Sequence, residues 1–449
     1  MGLMFMKPKR KLSTVQIIVS FYLIATILAT ILISLPIFHK PGVELSFIDA
    51  LFTAVSAISV TGLTVVNTAD TFNVPGIIML SFILQFGGIG IMTLGTFLWI
   101  VLGRQIGLSQ RRLIMVDQNQ STLSGLVALM KRILGLAIGI EAIGTILLGT
   151  YFLDRYNHWY EAYYYGFFSA LSAFTNAGFD IFGNSLFDFS HDYYVQTINI
   201  LLLIAGAIGF PVLIELMDFL SGKYPNFRFS LYTKITTTTF FTLMLLGAVG
   251  IWLLDYKHFF ADKGIVESIY YALFNSVTTR NGGLATMDVS LFNNATLLFM
   301  SFLMFVGASP SSVGGGIRTT TLAIIFLKIR AFSLGYKQIR VFNRELYEDD
   351  VEKTFAVIIM ALLLLFVSSM ILMAVEDFSP IEIIFEVASA FGTTGLSMGI
   401  TPELSTVGKV VIIFLMFIGR IGILSLLFLL RREDRDPHFH YPKERIIVG

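Results

Sequence analysis

Phe174-Thr175-Asn176-Ala177-Gly178-Phe179 decides how this chain is read, because a stretch of the same kind occurs four times. The others are Ser59-Val60-Thr61-Gly62-Leu63, Arg280-Asn281-Gly282-Gly283-Leu284 and Gly392-Thr393-Thr394-Gly395-Leu396. Their glycines Gly62, Gly178, Gly283 and Gly395 lie 116, 105 and 112 residues apart. Self-similarity at so even a spacing marks an internal repeat, so the chain divides into four related units. Each stretch follows a short apolar run of 12 to 14 residues and precedes a much longer one.

Over 449 residues the hydrophobic fraction is 55% and the charged fraction only 14%. Both values are far from those of soluble domains and point to a protein that crosses the membrane many times. The net charge of +1 says nothing about partners, since position rather than sum matters in such a chain. With no cysteine, disulfides, thiolate metal sites and cysteine nucleophiles are excluded. Lys7, Lys9, Arg10 and Lys11 precede an apolar run reaching Pro36, which looks at first like a signal peptide. The run is too long for one and lacks a small-residue cleavage pattern, so it reads as a retained first span.

The first unit has a spanning candidate at 14–36, a short run at 47–58, the Gly62 stretch and a long run over 74–103. The pattern returns at 130–153, 163–174 and 193–220, at 233–254, 265–278 and 292–330, and at 354–375, 380–391 and 405–430. A spanning helix needs roughly 20 apolar residues, so the short runs read as re-entrant half-helices. Irregular backbone at membrane depth is tolerated only where protein buries it or it lines a polar cavity, so four such loops argue for a common axis. The expected fold is an all-α polytopic membrane protein of eight spanning and four pore helices around a pseudo-four-fold pore. Its repeats are expected at 1–126, 127–229, 230–350 and 351–449. On this layout 23 Lys and Arg fall on the side of the amino terminus, against five opposite: Lys40, Arg155, Lys257, Lys263 and Lys409. The bias places both termini in the cytoplasm and the glycine loops towards the outside.

A cation that sheds water needs oxygen ligands, and backbone carbonyls supply them without a titratable charge in the path. The four stretches suit that task. Ser59, Val60, Thr61 and Gly62 form the first ion-binding loop; Thr175, Asn176, Ala177 and Gly178 the second; Arg280, Asn281, Gly282 and Gly283 the third; Gly392, Thr393, Thr394 and Gly395 the fourth. They are polar and, Arg280 apart, uncharged, which favours a monovalent cation over a divalent one. The half-helices point their carboxyl ends inward, where their dipoles favour positive charge. Close-packing glycines in ordinary turns would explain one loop, but not four in register. Arg280 would repel a cation if it faced the path, so it is expected to turn away onto carbonyls or a carboxylate behind the loop.

The third long run is interrupted by Ser309-Pro310-Ser311-Ser312-Val313-Gly314-Gly315-Gly316, which cannot continue a straight helix. At matching depth the fourth unit carries Gly419-Arg420-Ile421-Gly422, as Gly87 to Gly90 lie in the first. An arginine there is costly in lipid and is expected to face the cavity. The loop reads as a gate below the filter, with Arg420 as its electrostatic barrier or latch. A packing kink with an arginine on helix-end carbonyls is the plainer account.

Val-Thr-Gly, Thr-Asn-Ala-Gly-Phe, Thr-Thr-Arg-Asn-Gly-Gly and Gly-Thr-Thr-Gly, in that order from residue 14 onward, resemble the superfamily of Trk, Ktr and HKT potassium transporters. Eight spans and a short amino end make the chain most similar to the membrane subunit of bacterial Ktr systems, the KtrB or KtrD type. The resemblance implies potassium (K+) uptake across the bacterial cell membrane, often linked to sodium (Na+), with no organic cofactor. It also implies a homodimer with one pore per subunit and a cytosolic ring of nucleotide-binding RCK subunits of the KtrA or KtrC type. Gly282-Gly283-Leu284 departs from the family pattern, where Ala-Gly-Phe is commoner.

A tightly coupled sodium–potassium symporter is the alternative within transport, and an intramembrane enzyme the alternative outside it. All six histidines lie in loops or tails, and no paired-carboxylate motif lies at membrane depth, so proton-transfer chemistry lacks its usual agents. No nucleotide-binding glycine motif is present, and nothing suggests nucleic acid. Glu141, Glu215 and Glu386 read as partners of neighbouring helices, and Tyr160 to Tyr165 as an interfacial belt. The charged loop at 331–353 is the best docking surface for a cytosolic partner, and the apolar ending Arg445 to Gly449 suggests a dimer contact.

Overall fold

Outer helices, half-helices and inner helices succeed one another four times. The computed structural model describes residues 13–90, 93–95, 125–222 and 225–430, with single positions 107, 111, 115, 442, 444, 446 and 447. The basic amino end, most of the 104–132 loop, and Arg445, Val448 and Gly449 of the tail lie outside the described residues. The first group is α1 (Thr14–Ile33), α2 (Phe47–Ser59) and α3 (Val74–Ile89). The second is α4 (Leu126–Phe152), α5 (Trp159–Phe174), α6 (Tyr193–Ala207) and α7 (Phe210–Leu220). The third is α8 (Leu231–Leu254), α9 (Ile265–Thr278), α10 (Asn294–Phe305) and α11 (Thr319–Ser333). The fourth is α12 (Glu348–Val375), α13 (Pro380–Gly392), α14 (Thr406–Ile421) and α15 (Ile423–Leu430).

The outer helices α1, α4, α8 and α12 run 20, 27, 24 and 28 residues and are apolar enough to cross a membrane. Large apolar side chains such as Ile27, Leu246 and Phe366 stand exposed along them. Water would not tolerate so much continuous apolar surface, whereas lipid does. The half-helices α2, α5, α9 and α13 have only 13, 16, 14 and 13 residues. At 1.5 Å per residue none spans a hydrocarbon core of about 30 Å. Ser46 caps α2 by accepting from the Asp49 amide, and Ser379 with Glu382 forms a capping box on α13. Their far ends are buried.

Each inner helix packs against the half-helix of the next unit: α3 on α5, α6 on α9, α10 on α13, and α14 back on α2. Lys409 on α14 and Asp49 on α2, 2.8 Å apart, help to close that circle between last unit and first.

Two expectations need correction. The inner runs are not unbroken: α6 meets α7 at 106° and α14 meets α15 at 94°. Gly209 and Gly422 sit at those breaks with φ of 101° and 87°, and Gly90 ends α3 with φ of 102°. With ψ of 133° to 142° this backbone is open essentially to glycine alone, and hydropathy cannot register it. The chain is also not wholly helical, because β1 (Arg340–Val341) pairs antiparallel with β2 (Arg344–Glu345) in the 331–353 loop. Phe342 and Asn343 turn that hairpin with φ of 48° and 60°.

Gly422 has open space where a Cβ would be, so Gly422→Ala tests backbone strain alone. It should lower stability in detergent by about 1–3 kcal/mol. Gly139→Ala, equally open but within α4, should be neutral or stabilising by up to about 1 kcal/mol.

Candidate functional site

The four half-helices end in the same backbone motif. Two residues before each glycine the chain turns left-handed, at Val60 (φ 53°), Asn176 (51°), Asn281 (77°) and Thr393 (50°), and the glycines follow with φ of 92°, 68°, 69° and 94°. Val60 and Thr393 are β-branched, for which that conformation is strained. In units one, two and four the amide just before the glycine returns to the carbonyl five residues earlier: Thr61 to Ser56 at 2.9 Å, Ala177 to Ser172 at 2.8 Å and Thr394 to Ser389 at 2.8 Å. These are Schellman closures, which use up the last carbonyls of a helix. The third loop departs, with Gly282 bonding Thr278 four residues back at 2.6 Å.

Hydroxyls brace each loop from behind. Ser56 Oγ accepts from the Gly62 amide at 3.1 Å, and Ser389 Oγ from the Gly395 amide at 3.1 Å. Ser172 Oγ donates to the Phe179 carbonyl at 2.5 Å, and Thr278 Oγ1 to the Leu284 carbonyl at 2.6 Å. These four residues were missed in the sequence. A serine six residues before three of the four glycines was the signal available.

The structure brings the four glycines together in chain order. A Cβ added at Gly62 would lie 2.9 Å from the Gly178 Cα, and one at Gly178 would lie 2.9 Å from that of Gly283. One at Gly283 would lie 3.4 Å from the Gly395 Cα, and one at Gly395 would lie 3.0 Å from that of Gly62. The same added atoms would press on the carbonyl oxygens of Ala177, Thr394 and Thr61, so the oxygen before each of these three glycines faces the neighbouring unit's glycine. Side chains of the group are tied down. Ser59 Oγ and Thr61 Oγ1 are 2.6 Å apart, Thr175 Oγ1 donates to Leu171, and Asn281 Nδ2 reaches Thr393 Oγ1 at 2.8 Å and the Gly392 carbonyl.

Arg280 is 1% exposed, and its guanidinium does not join this ring. It donates to the carbonyls of Val306, at 2.7 Å, and Leu303, at the carboxyl end of α10. Arg280 therefore turns away from the ring onto helix-end carbonyls, as its charge led one to expect, and buttresses the third loop from behind. Asp180, just past the second loop, is occupied likewise. Burial raises its carboxyl above the usual range while the amides of Gly183, Ser185 and Phe182 pull it down. Among the described residues no cluster of three or more His, Asp or Glu is placed to hold a metal ion.

Residues 306–318 lie against the inner side of the third and fourth loops. A Cβ at Gly314 would strike Asn281, the Gly315 amide donates to Thr393 Oγ1 at 2.8 Å, and one at Gly316 would lie 3.1 Å from the Gly392 Cα. The segment is also tied to both flanking units. Ser309 and Val313 amides bond Ala207 at 3.0 Å and Gly206 at 3.2 Å, the Gly316 amide bonds Gly419 at 3.3 Å, and Tyr232 OH donates to Pro310 at 2.5 Å. Ser312 Oγ closes on the Ser309 carbonyl at 2.6 Å, and Ser311 takes φ of 54°. Arg420, 8% exposed, donates to the Val313 carbonyl in this segment and to the Gly87 and Gly88 carbonyls of α3. One guanidinium thus joins unit three to unit one, which face each other around the ring.

The sequence profile of the TrkH family, described as a cation transport protein, matches residues 7–440. The chain belongs to that family. It is 56% identical to the Ktr system potassium uptake protein D of Bacillus subtilis, covering 100% of both chains. It is 35% identical to the Ktr system potassium uptake protein B of the same organism, over 97% of this chain and 96% of that one. It is 33% identical to the potassium/sodium uptake protein NtpJ of Enterococcus hirae, over 100% of both. Its fold is similar to the potassium transporter TrkH of Vibrio parahaemolyticus, with a TM-score of 0.73, 20% identity, and coverage of 94% of this chain and 86% of that one. Membership in the TrkH family makes the chain a membrane transport protein and not an enzyme.

Arg280→Gln should lower stability by about 1–3 kcal/mol, because it leaves buried helix-end carbonyls short of a donor. Cation flux through the variant, measured in proteoliposomes, should not rise. A rise would return the guanidinium to the ion path.

Proposed function

We propose that the chain is the ion-translocating subunit of a Ktr-type potassium uptake system. The observation that carries this reading is the ring of four glycines from four half-helices, in which the carbonyl oxygens of Thr61, Ala177 and Thr394 face the neighbouring unit's glycine. Carbonyls replace the water of a monovalent cation, and four helix carboxyl ends aimed at the axis favour positive charge there. The ligands are the main-chain oxygens of Ser59 to Gly62, Thr175 to Gly178, Arg280 to Gly283 and Gly392 to Gly395. Potassium is favoured by the names of the relatives in Bacillus subtilis.

Below the filter, Ser309 to Gly316 act as a gate with Arg420 as its latch. On this reading the path under the ring is narrowed by the guanidinium that bonds both Val313 and Gly87. Opening requires the segment to give up bonds to Gly206, Ala207 and Gly419, and its small residues permit that movement. On this reading the repeats at 1–126, 127–229, 230–350 and 351–449 hold eight spans, with both termini cytoplasmic. The protein acts as a homodimer in the cell membrane, and a nucleotide-binding RCK ring docks from the cytosol. A coupled sodium–potassium symporter is the second reading, favoured by a relative named for potassium and sodium uptake. Rubidium uptake with and without external sodium separates the two: a fixed stoichiometry supports coupling, and uptake without sodium excludes it.

Complementation of a potassium-uptake-deficient bacterium in low-potassium medium tests the whole. Wild type should restore growth, and failure would remove the reading. Gly178→Ser and Gly283→Ser should impair uptake or admit sodium, since a Cβ there would lie 2.9 Å and 2.7 Å from a neighbouring glycine Cα. Arg420→Ala should raise flux several-fold, and flux unchanged in both Arg420→Ala and a variant lacking Ser311 to Gly315 would remove the gate.

A further inference from the structure

A groove of about 950 Å³ runs between α8 and α9 on the exposed outer side of the third unit. Along α8 its wall is Leu245, Val249 and Trp252, which share one face at helical spacing; along α9 it is Ile265 and Ile269. Val249, Ile265 and Ile269 are 52%, 81% and 57% exposed, so the protein itself leaves this wall uncovered. The carboxyl end of α8 and the amino end of α9 meet at one end of the groove, joined by residues 255–264. That end carries Lys257 and Lys263, and the lining holds these two lysines and no acid.

The two cations are placed differently. Lys263 is held over the rings of Phe259, at 4.6 Å, and Tyr271, at 5.0 Å, and bonds Glu267 at 3.2 Å. Lys257 is exposed and has no ion pair among the described residues. Of the acids in this loop, Asp255 is fully buried and engaged by the Asn293 amide and His258, and Asp262, exposed beside Lys263, does not line the groove. Trp252 and Tyr256 stand edge to face at 5.1 Å beside the lysines, the level at which amphipathic rings meet a headgroup layer.

We propose that this groove binds a phospholipid with an anionic headgroup, its phosphate between Lys257 and Lys263 and one acyl chain along Val249 and Ile269. An apolar trough closed at one end by cations matches that amphiphile in both parts. A second copy of the chain fits less well. A two-fold axis sets a patch against itself, which here opposes hollow to hollow and lysine to lysine. The proposal needs α8 to cross the membrane, and binding is read without transport, so it stands or falls apart from the potassium reading.

The test is native mass spectrometry of the full-length detergent-purified protein, titrated with phosphatidylglycerol and phosphatidylcholine of the same acyl chains. Wild type should bind phosphatidylglycerol at least about fivefold more tightly, and K257Q/K263Q should lose that preference, as two interfacial lysines warrant. Val249→Trp, which fills the trough, should weaken both lipids. Equal binding of the two lipids by wild type, a preference surviving K257Q/K263Q, or unchanged binding by Val249→Trp would overturn the proposal. Because the chain has no cysteine, Val249→Cys supplies a further check in native membranes. Disulfide-linked dimers forming through it in most of the protein would give the groove to a second copy and also overturn it.

Discussion

The structure depends on one steric fact: the axis where the four units meet has no room for a Cβ atom. Each of Gly62, Gly178, Gly283 and Gly395 would, if given one, press on the backbone of a neighbour. So close an approach forces the half-helices to stop short and their last turns to close tightly. That closure places the left-handed turn on Val60 and Thr393, where the β-branched side chains resist it. Such strain persists only if the surroundings over-determine it. They do so through the hydroxyls of Ser56 and Ser389 behind the loops and the inner helix of the preceding unit wedged against each half-helix. A Cβ at Gly206 or Gly419 would overlap the carbonyls of Phe174 or Phe391, so small residues recur one layer out for the same reason.

Charge at membrane depth follows a second rule. The three arginines there, Arg280, Arg318 and Arg420, all find backbone carbonyls. Arg280 takes the end of α10, Arg318 the carbonyls of Gly314 and Ser309, and Arg420 those of Val313, Gly87 and Gly88. Carbonyls at broken helix ends carry partial negative charge and lack intrahelical partners, so they suit a guanidinium with its five donors. The break after α10 and the end of α3 thus supply acceptors for arginines, and an arginine so held helps to fix each of them. Without a carboxylate among these partners, the pairing can be released by moving backbone alone.

Much of this was legible in the sequence because the repeat reports on itself. Four glycine stretches at even spacing, each after a run too short to span, fix the ring before any distance is known. Arg280 was placed behind its loop by electrostatics alone, since a cation in a cation path is self-defeating. What stayed hidden involves residues whose role is set by φ or by a partner far away in sequence. Gly90 and Gly209 lie in uninterrupted apolar runs, and near Gly422 the charge of Arg420 draws the eye, so neither hydropathy nor charge registers the backbone these glycines take. The second reach of Arg420, to Gly87, spans 333 residues and leaves no local trace. The serines behind the glycine loops were readable at their six-residue spacing, yet mid-helix serine is common enough in membrane helices that the pattern emerges only once three loops are superimposed.

The third unit departs from the other three at two points, and the two are connected. Its loop closes on Thr278 four residues back instead of five, and its inner helix is parted by the whole stretch 306–318, where those of units two and four break over one or two residues. Arg280 links them, since it stands in the loop and binds the carbonyls of Leu303 and Val306 where α10 gives out. A continuous inner helix would spend those carbonyls on its own next turn and leave a buried guanidinium without acceptors. Breaking the helix thus supplies the arginine, and the arginine stabilises the break. Four identical chains would repeat this arrangement four times and crowd four segments under one ring. One chain with four diverged units can carry it once, so a single segment bonded to both flanking units lies against the third and fourth glycine loops.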